Sequence, residues 1–114
     1  MPTSELVPGT VARVPFPYTS AEASQHRPAL IVAAAGPDDA PFLLWVVMIT
    51  AAANRPWEGD VAIPDPAAAG LPIPSVVRTA KIATIDLVRA QSRGQVSSQT
   101  LAAVRAELRR RLTL

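Results

Sequence analysis

The sequence contains no cysteine and a single histidine, His26. The absence of cysteine excludes disulfides, thiolate catalysis and cysteine-ligated zinc or iron–sulfur centres. One histidine per chain cannot build a metal site with two or three histidine ligands. We therefore expect neither a metal ion nor another cofactor.

Long apolar segments and leader-like features are also missing. The longest apolar run covers residues 40–49 and is interrupted by Pro41, whereas a membrane-spanning helix needs about 20 apolar residues. Residues 1–6 (MPTSEL) have neither the basic n-region nor the apolar h-region of a signal peptide. These features predict a soluble, cytoplasmic protein that does not bind membranes.

The chain is long enough for one domain, residues 1–114, around a single core. Hydrophobic residues make up 49% of the chain and charged residues 18%, which is typical of a globular protein. The net charge of +2 is unevenly distributed. Residues 1–60 carry three arginines and six acidic residues, whereas residues 61–114 carry eight basic and three acidic residues. A basic half is compatible with a polyanionic partner.

All twelve prolines precede residue 75, which predicts short strands separated by rigid turns in that region. Alternation and β-branched residues predict strands at 10–16, 28–34, 42–50, 60–63 and, as one bent strand or two, 75–86. The strand at 42–50 is apolar on both alternating faces, which indicates a central strand buried on both sides.

The end of the chain is predicted to be helical. A turn at Arg93-Gly94 precedes a helix over residues 98–112, with Ser97 or Ser98 as its N-cap. The fold class is therefore mainly β with a C-terminal α-helix, arranged as a small, partly closed antiparallel barrel.

Four segments are informative because of their order and spacing. They are PGTVARVPFPYT (8–19), RPALIV (27–32), MITA (48–51) and AGLPIPSVVRTAKIATID (69–86). Together they resemble the MazF/PemK family of toxin endoribonucleases over nearly the whole chain. The resemblance implies an SH3-like barrel of the MazF/CcdB type and a homodimer. It also implies cleavage of single-stranded RNA, with messenger RNA expected, at a short preferred sequence and without metal.

The resemblance also implies partners and a catalytic pair. The toxin would be inhibited by the extended C-terminal tail of a cognate antitoxin, and would meet DNA only indirectly, through that antitoxin. The family's catalytic arginine and threonine fall on Arg27 and Thr50. Arg27 suits a phosphate because a guanidinium binds it bidentately. The general base stays open between His26, water and a phosphate oxygen of the substrate.

Further residues are predicted to bind RNA. Arg78 and Lys81 would contact phosphates, and Asn54 and Arg55 would read base edges. Aromatic side chains in loops can stack on unpaired bases, which gives Tyr18 and Trp57 this role, although Trp57 is equally suited to closing the barrel or the dimer. The complete set of predicted RNA-binding residues is Arg78, Lys81, Tyr18, His26, Asn54, Arg55 and Trp57.

Two departures from the family pattern support an alternative function. Ala80 stands where some relatives carry an active-site Asp, and Ala51 stands where many carry Ser. The alternative is a non-catalytic binder with the same fold, either a gyrase poison like CcdB or an inactive toxin retained for partner binding. The final residues LTL lack the terminal aromatic of CcdB-type poisons, which disfavours the first of these.

Overall fold

Six β-strands and one α-helix make up the part of the chain that the computed structural model describes, residues 6–16, 25–37 and 41–113. The strands are β1 (Thr10–Phe16), β2 (Gln25–Ala35), β3 (Leu43–Ala51), β4 (Asp60–Ala62), β5 (Ser75–Asp86) and β6 (Gln91–Gln95). A single 3₁₀ turn, Leu87–Arg89, joins β5 to β6, and the helix α1 covers Ser98–Leu112.

The strands form one antiparallel sheet in the order β4-β5-β3-β2-β1-β6. The connection between β4 and β5 folds back to the opposite edge of this sheet, where Gln95 N donates a hydrogen bond to Ala68 O at 3.2 Å. Gly94 of β6 lies so close to this connection that a Cβ atom would collide with the backbone of Ala68 and Ala69. The connection thus bridges the two edge strands, which confirms the predicted partly closed antiparallel barrel.

Both faces of the central strands are buried in separate clusters. On one face, which we call the helix face, Leu30, Val47, Ile49 and Val77 pack with Val104 of α1. On the other, which we call the far face, the cluster contains Val14, Ala29, Ile31, Val46 and Met48. Each face removes apolar area from water, so the sheet is stabilised from both sides.

Burial of β3 on both sides is confirmed only for residues 46–49. Phe42 precedes the strand and is 57% exposed, and Trp45 within it is 48% exposed. Trp45 pairs with Ala33 and Thr84. The helix packs over β4 and β5 and leaves this part of the helix face uncovered. The apolar pattern of the sequence could not show where the helix stops covering the sheet.

The predicted bounds of β1 and α1 are confirmed, and residues 75–86 form one strand rather than two. β2 begins at Gln25, three residues before the predicted start. The predicted turn at Arg93-Gly94 is wrong, because both residues lie inside β6. That strand, QSRGQ, has no apolar alternation and is formed by pairing with β1, where Val11 lies opposite Gly94.

The helix begins at a side-chain cap, and its two buried residues are Thr100 and Val104. Ser97 Oγ accepts a hydrogen bond from Thr100 N at 3.1 Å, which resolves the choice between Ser97 and Ser98. Val104 is fully buried against the sheet. Thr113 caps the C-terminus of the helix, and its left-handed backbone (φ 52°) lets its N–H bond the carbonyls of Arg109 and Arg110. None of the described helices is long and apolar enough to cross a membrane.

We expect Ser97→Ala to lower the free energy of unfolding by about 1 kcal/mol, because it removes the acceptor for a helix N-terminal N–H. Ser98→Ala is the matched control, since Ser98 is exposed and lies within the first turn. Urea unfolding of the two variants measures the difference. Equal losses in both variants would contradict the assignment of Ser97 as the cap.

Candidate active site

The register between β2 and β3 brings the two predicted catalytic residues to corresponding positions. Ala29 lies opposite Met48 in this antiparallel pair. This is the last paired position at this end of the two strands, and extending its register by two residues matches Arg27 of β2 with Thr50 of β3. Both residues are half-buried. They are far apart in the sequence, and the sheet places them on neighbouring strands.

Arg27 and Thr50 also share the far face of the sheet. Arg27 is the partner of Val14, which belongs to the far-face cluster. Thr50 follows Met48 by two residues, and alternate residues of a strand face the same way. A guanidinium and a hydroxyl at the rim of an apolar surface can together bind an anion such as a phosphate.

The Thr50 hydroxyl is held by a second side chain. Asn54 Nδ2 donates a hydrogen bond to Thr50 Oγ1 at 2.6 Å. Asn54 lies in the turn after β3, where its backbone N–H bonds Ala51 O at 3.0 Å. Asn54 is exposed. Its side chain therefore contacts Thr50 and is also accessible to a base, as predicted from the sequence.

Arg78 is buried, at 6% exposure, and bonded to several protein groups. Its Nε and Nη2 donate to the two carboxylate oxygens of Asp60 at 3.1 and 2.9 Å. Nη2 also donates to Arg55 O at 2.7 Å, and the guanidinium carbon lies 4.4 Å from the centroid of the Trp57 ring. Arg78 therefore fixes the segment between β3 and β4.

Trp57 lies against two cations and remains 41% exposed. Besides Arg78, Lys81 Nζ is 5.1 Å from the centroid of the indole ring. Such cation–π contacts contribute about 0.5–1 kcal/mol at exposed sites and about 2 kcal/mol where the cation is desolvated. The Trp57 backbone N–H donates to Asp60 Oδ2 at 2.9 Å, which holds the main chain of Trp57 next to β4.

The Asp60 carboxylate accepts hydrogen bonds from both Arg78 and the Trp57 backbone N–H. Burial alone raises the pKa of its carboxyl group, but the hydrogen bonds from Arg78 and the Trp57 backbone N–H outweigh that effect. The positive charges of Arg78 and Arg111 act in the same direction, so the pKa of Asp60 lies below its ordinary value. Asp60 is therefore ionised near neutral pH and balances the buried guanidinium.

A second set of contacts holds the same segment from the helix. Arg111 Nε donates to Thr79 Oγ1 at 3.2 Å, and its Nη2 bonds Glu58 O. Thr79 Oγ1 in turn donates to Gly59 O at 2.8 Å. Gly59 has φ +90°, a conformation that glycine adopts readily. No sequence pattern indicates these contacts, because a basic helix end is also typical of a solvated C-terminus.

The remaining predicted residues lie in different places. His26 pairs with Pro15 and is exposed, and as a neighbour of Arg27 in an extended strand it points to the opposite face. Arg55 is exposed and contributes its backbone oxygen to Arg78. Tyr18 lies outside the described residues. Among the residues that the structure describes, no three His, Asp or Glu side chains form a group that could hold a metal ion.

The fold matches that of solved MazF structures. The crystal structure of MazF from Deinococcus radiodurans superimposes with a TM-score of 0.73 at 24% identity, covering 95% of this chain and 96% of that one. The Mycobacterium tuberculosis toxin MazF-mt6 gives 0.71 at 20% identity, covering 92% and 97%. A mycobacterial endoribonuclease in complex with its cognate antitoxin gives 0.71 at 22% identity, covering 95% of each chain.

Residues 8–112 match the model of the family described as PemK-like, MazF-like toxins of type II toxin–antitoxin systems. The chain therefore belongs to this family, whose members are generally endoribonucleases. The resemblance and the SH3-like, MazF-type fold predicted from the sequence are confirmed. No curated protein sequence matches the chain significantly.

We expect the Asp60 carboxylate to stabilise the fold at neutral pH and to lose this effect in acid. Because its folded-state pKa is lowered, the stabilisation is present above the unfolded pKa of about 4 and disappears as the pH falls through the folded value. The free energy of unfolding of the wild type should thus fall more steeply below about pH 4 than that of Asp60→Asn. Urea unfolding across this pH range measures both slopes.

Asp86→Asn is the matched control, because Asp86 is an exposed carboxylate at the end of β5. Its acid slope should remain that of the wild type. An Asp60→Asn variant with the wild-type slope would show that the ion pair with Arg78 contributes nothing to stability.

Proposed function

We propose that this chain is the toxin of a type II toxin–antitoxin system and cleaves single-stranded RNA, with messenger RNA expected, at a short preferred sequence without metal. The observation that carries the proposal is the placement of Arg27 and Thr50 at corresponding positions of β2 and β3 on the far face. Membership of the toxin family supports the same activity.

In the proposed reaction the ribose 2′-oxygen attacks the adjacent phosphorus. The bond from the 2′-oxygen to phosphorus forms while the bond to the 5′-oxygen breaks, leaving a 2′,3′-cyclic phosphate and a 5′-OH end. Negative charge grows on the non-bridging oxygens as the reaction proceeds. Arg27 binds these oxygens through two N–H groups, and the Thr50 hydroxyl donates to one of them.

The proton of the 2′-hydroxyl must be removed, and the leaving 5′-oxygen must gain one. Arg27 is a poor base because a guanidinium remains protonated. Histidine is the residue type that most often acts as a general base, but His26 lies on the face of β2 opposite to Arg27. We therefore propose that a phosphate oxygen of the substrate or a water molecule carries the proton within one protomer.

RNA binding is proposed to centre on the segment between β3 and β4. The exposed part of the Trp57 ring stacks on a base, a role also proposed for Tyr18, and Lys81 contacts a phosphate. Arg78 acts mainly by fixing Trp57, since its guanidinium is bonded to Asp60 and Arg55 O.

The partners of the protein are proposed from the similar structures. One of these is an endoribonuclease with its cognate antitoxin, and another is a MazE–MazF complex from Deinococcus radiodurans. By analogy, this chain would act as a homodimer in the bacterial cytoplasm and be inhibited by the extended tail of its own antitoxin. Contact with DNA would occur only through that antitoxin.

We expect the wild type to cleave a mixed single-stranded RNA in excess EDTA and to leave 5′-OH ends. Arg27→Ala and Thr50→Val should each lower the rate by about 10² or more, because each removes a donor to the charge that develops on the phosphate. Gel analysis of cleavage and labelling of the 5′ ends measure both results. Arg13→Ala is the matched control, because Arg13 is exposed on β1, next to Val14, and points away from Arg27.

A loss in Arg13→Ala as large as that in Arg27→Ala would contradict the placement of the site. A folded, dimeric wild type that leaves all single-stranded RNA intact would contradict the ribonuclease proposal. That result would favour the non-catalytic alternative, to which Ala51 and the exposed Ala80 already correspond in the sequence.

A further inference from the structure

The turn that follows β3 brings a carboxamide onto the proposed catalytic hydroxyl. Asn54 Nδ2 lies 2.6 Å from Thr50 Oγ1 and donates to it. The turn itself is fixed at both ends, because Ala52 N bonds Pro74 O at 2.9 Å and Asn54 N bonds Ala51 O at 3.0 Å. The Asn54 side chain is thus presented to Thr50 by an anchored backbone.

In this hydrogen bond Asn54 is the donor and Thr50 the acceptor, which determines how the Thr50 hydroxyl is oriented. A hydroxyl group can donate one hydrogen and accept through two lone pairs, and in isolation it rotates freely between these uses. When Asn54 donates to Oγ1, one lone pair is occupied and the hydroxyl hydrogen is turned away from the carboxamide. The hydroxyl is then available as a donor.

A phosphodiester offers only acceptor oxygens to its surroundings. It would be attracted by a hydroxyl hydrogen and repelled by a lone pair, so Thr50 assists only when its hydrogen points to the phosphate. Arg27, across from Thr50 on the same face, is a donor as well. We propose that Asn54 is a positioning residue that holds the Thr50 hydroxyl as a hydrogen-bond donor toward the scissile phosphate.

The inference rests on the proposed ribonuclease function and differs from the role that the sequence predicted for Asn54. A residue that reads a base edge changes which sequences are cut. A residue that orients Thr50 lowers the turnover rate at every site and leaves the cleavage pattern unchanged. Activity and pattern therefore separate the two roles.

The test compares two substitutions of Asn54 in the full-length dimer, using metal-free cleavage of a defined single-stranded RNA. Asn54→Ala releases the hydroxyl to rotate and should lower kcat about 3- to 10-fold, the value of one hydrogen bond. Asn54→Asp has nearly the same shape, but its carboxylate can only accept. It should capture the Thr50 hydrogen and lower kcat by about 10².

Two controls isolate the effect of direction. Ala53→Asp places the same charge in the same exposed turn and should cost much less than Asn54→Asp. In a Thr50→Val background, Asn54→Ala should have no further effect, because no hydroxyl remains to be oriented. Melting temperatures of all variants show whether each one is folded.

A pH profile adds a signature that a purely structural role would not give. The carboxyl group that Asn54→Asp introduces can donate again once it is protonated, so the deficit of this variant relative to wild type should shrink as the pH falls toward about 4. The inference is supported by this recovery together with an unchanged cleavage pattern.

The positioning role of Asn54 would be overturned if both Asn54 variants cleaved at the wild-type rate. It would also be overturned if Asn54→Ala lowered kcat equally in the wild-type and Thr50→Val backgrounds. Either result would leave the ribonuclease assignment intact. A changed cleavage pattern at a normal rate would overturn the positioning role in favour of base reading. An inactive wild type would overturn the ribonuclease proposal and, with it, this inference.

Discussion

The antiparallel register between β2 and β3 is the constraint on which the candidate site depends. A slip of one residue would move every side chain of one strand to the other face and separate Arg27 from Thr50. Burial on both faces prevents such a slip. Leu30 pairs with Val47 within the helix-face cluster, and Ile31 pairs with Val46 within the far-face cluster. The core thus fixes the geometry of the two polar residues at its rim.

The segment between β3 and β4 is held by a different interaction, the buried ion pair of Arg78 and Asp60. Pairs of this kind add little to stability compared with apolar packing, but removing one partner leaves an uncompensated charge. Here the pair also determines local structure, because Arg78 bonds Arg55 O and contacts the Trp57 ring. Arg111 holds the same segment through Glu58 O. A fixed loop loses less conformational entropy on binding a ligand than a mobile one does.

Sequence patterns predicted the secondary-structure elements that depend on neighbouring residues in the chain. The alternation of residues 10–16 indicated β1, and a capping serine followed by an apolar stripe indicated α1. The polar strand β6 has no such local pattern, because only its pairing with β1 makes it a strand. The same limit applies to the ion pair, whose members are 18 residues apart and meet only through the pairing of β4 with β5.

The family resemblance identifies Arg27 and Thr50 as the catalytic pair. Their position on neighbouring strands follows from the order of strands in the sheet. No periodicity in the sequence connects residue 27 with residue 50. The position of Trp57 was likewise open between base stacking and closure of the barrel. The structure places it on Arg78 with much of its ring exposed, a position that leaves room for a base. Such relationships depend on strand order and register, which a single sequence does not encode in any local pattern.

The most direct test of a site on the far face is an NMR titration with a single-stranded oligonucleotide whose 2′-hydroxyls are replaced by hydrogen, so that it binds without being cut. The two tryptophans provide an internal comparison, since Trp57 lies beside Arg78 and Trp45 lies on the helix face. The account predicts changes in the Trp57 indole signal and in the amides of Arg27, Thr50 and Asn54, with Trp45 unaffected. Changes at Trp45 that leave Trp57 and Thr50 unmoved would contradict it.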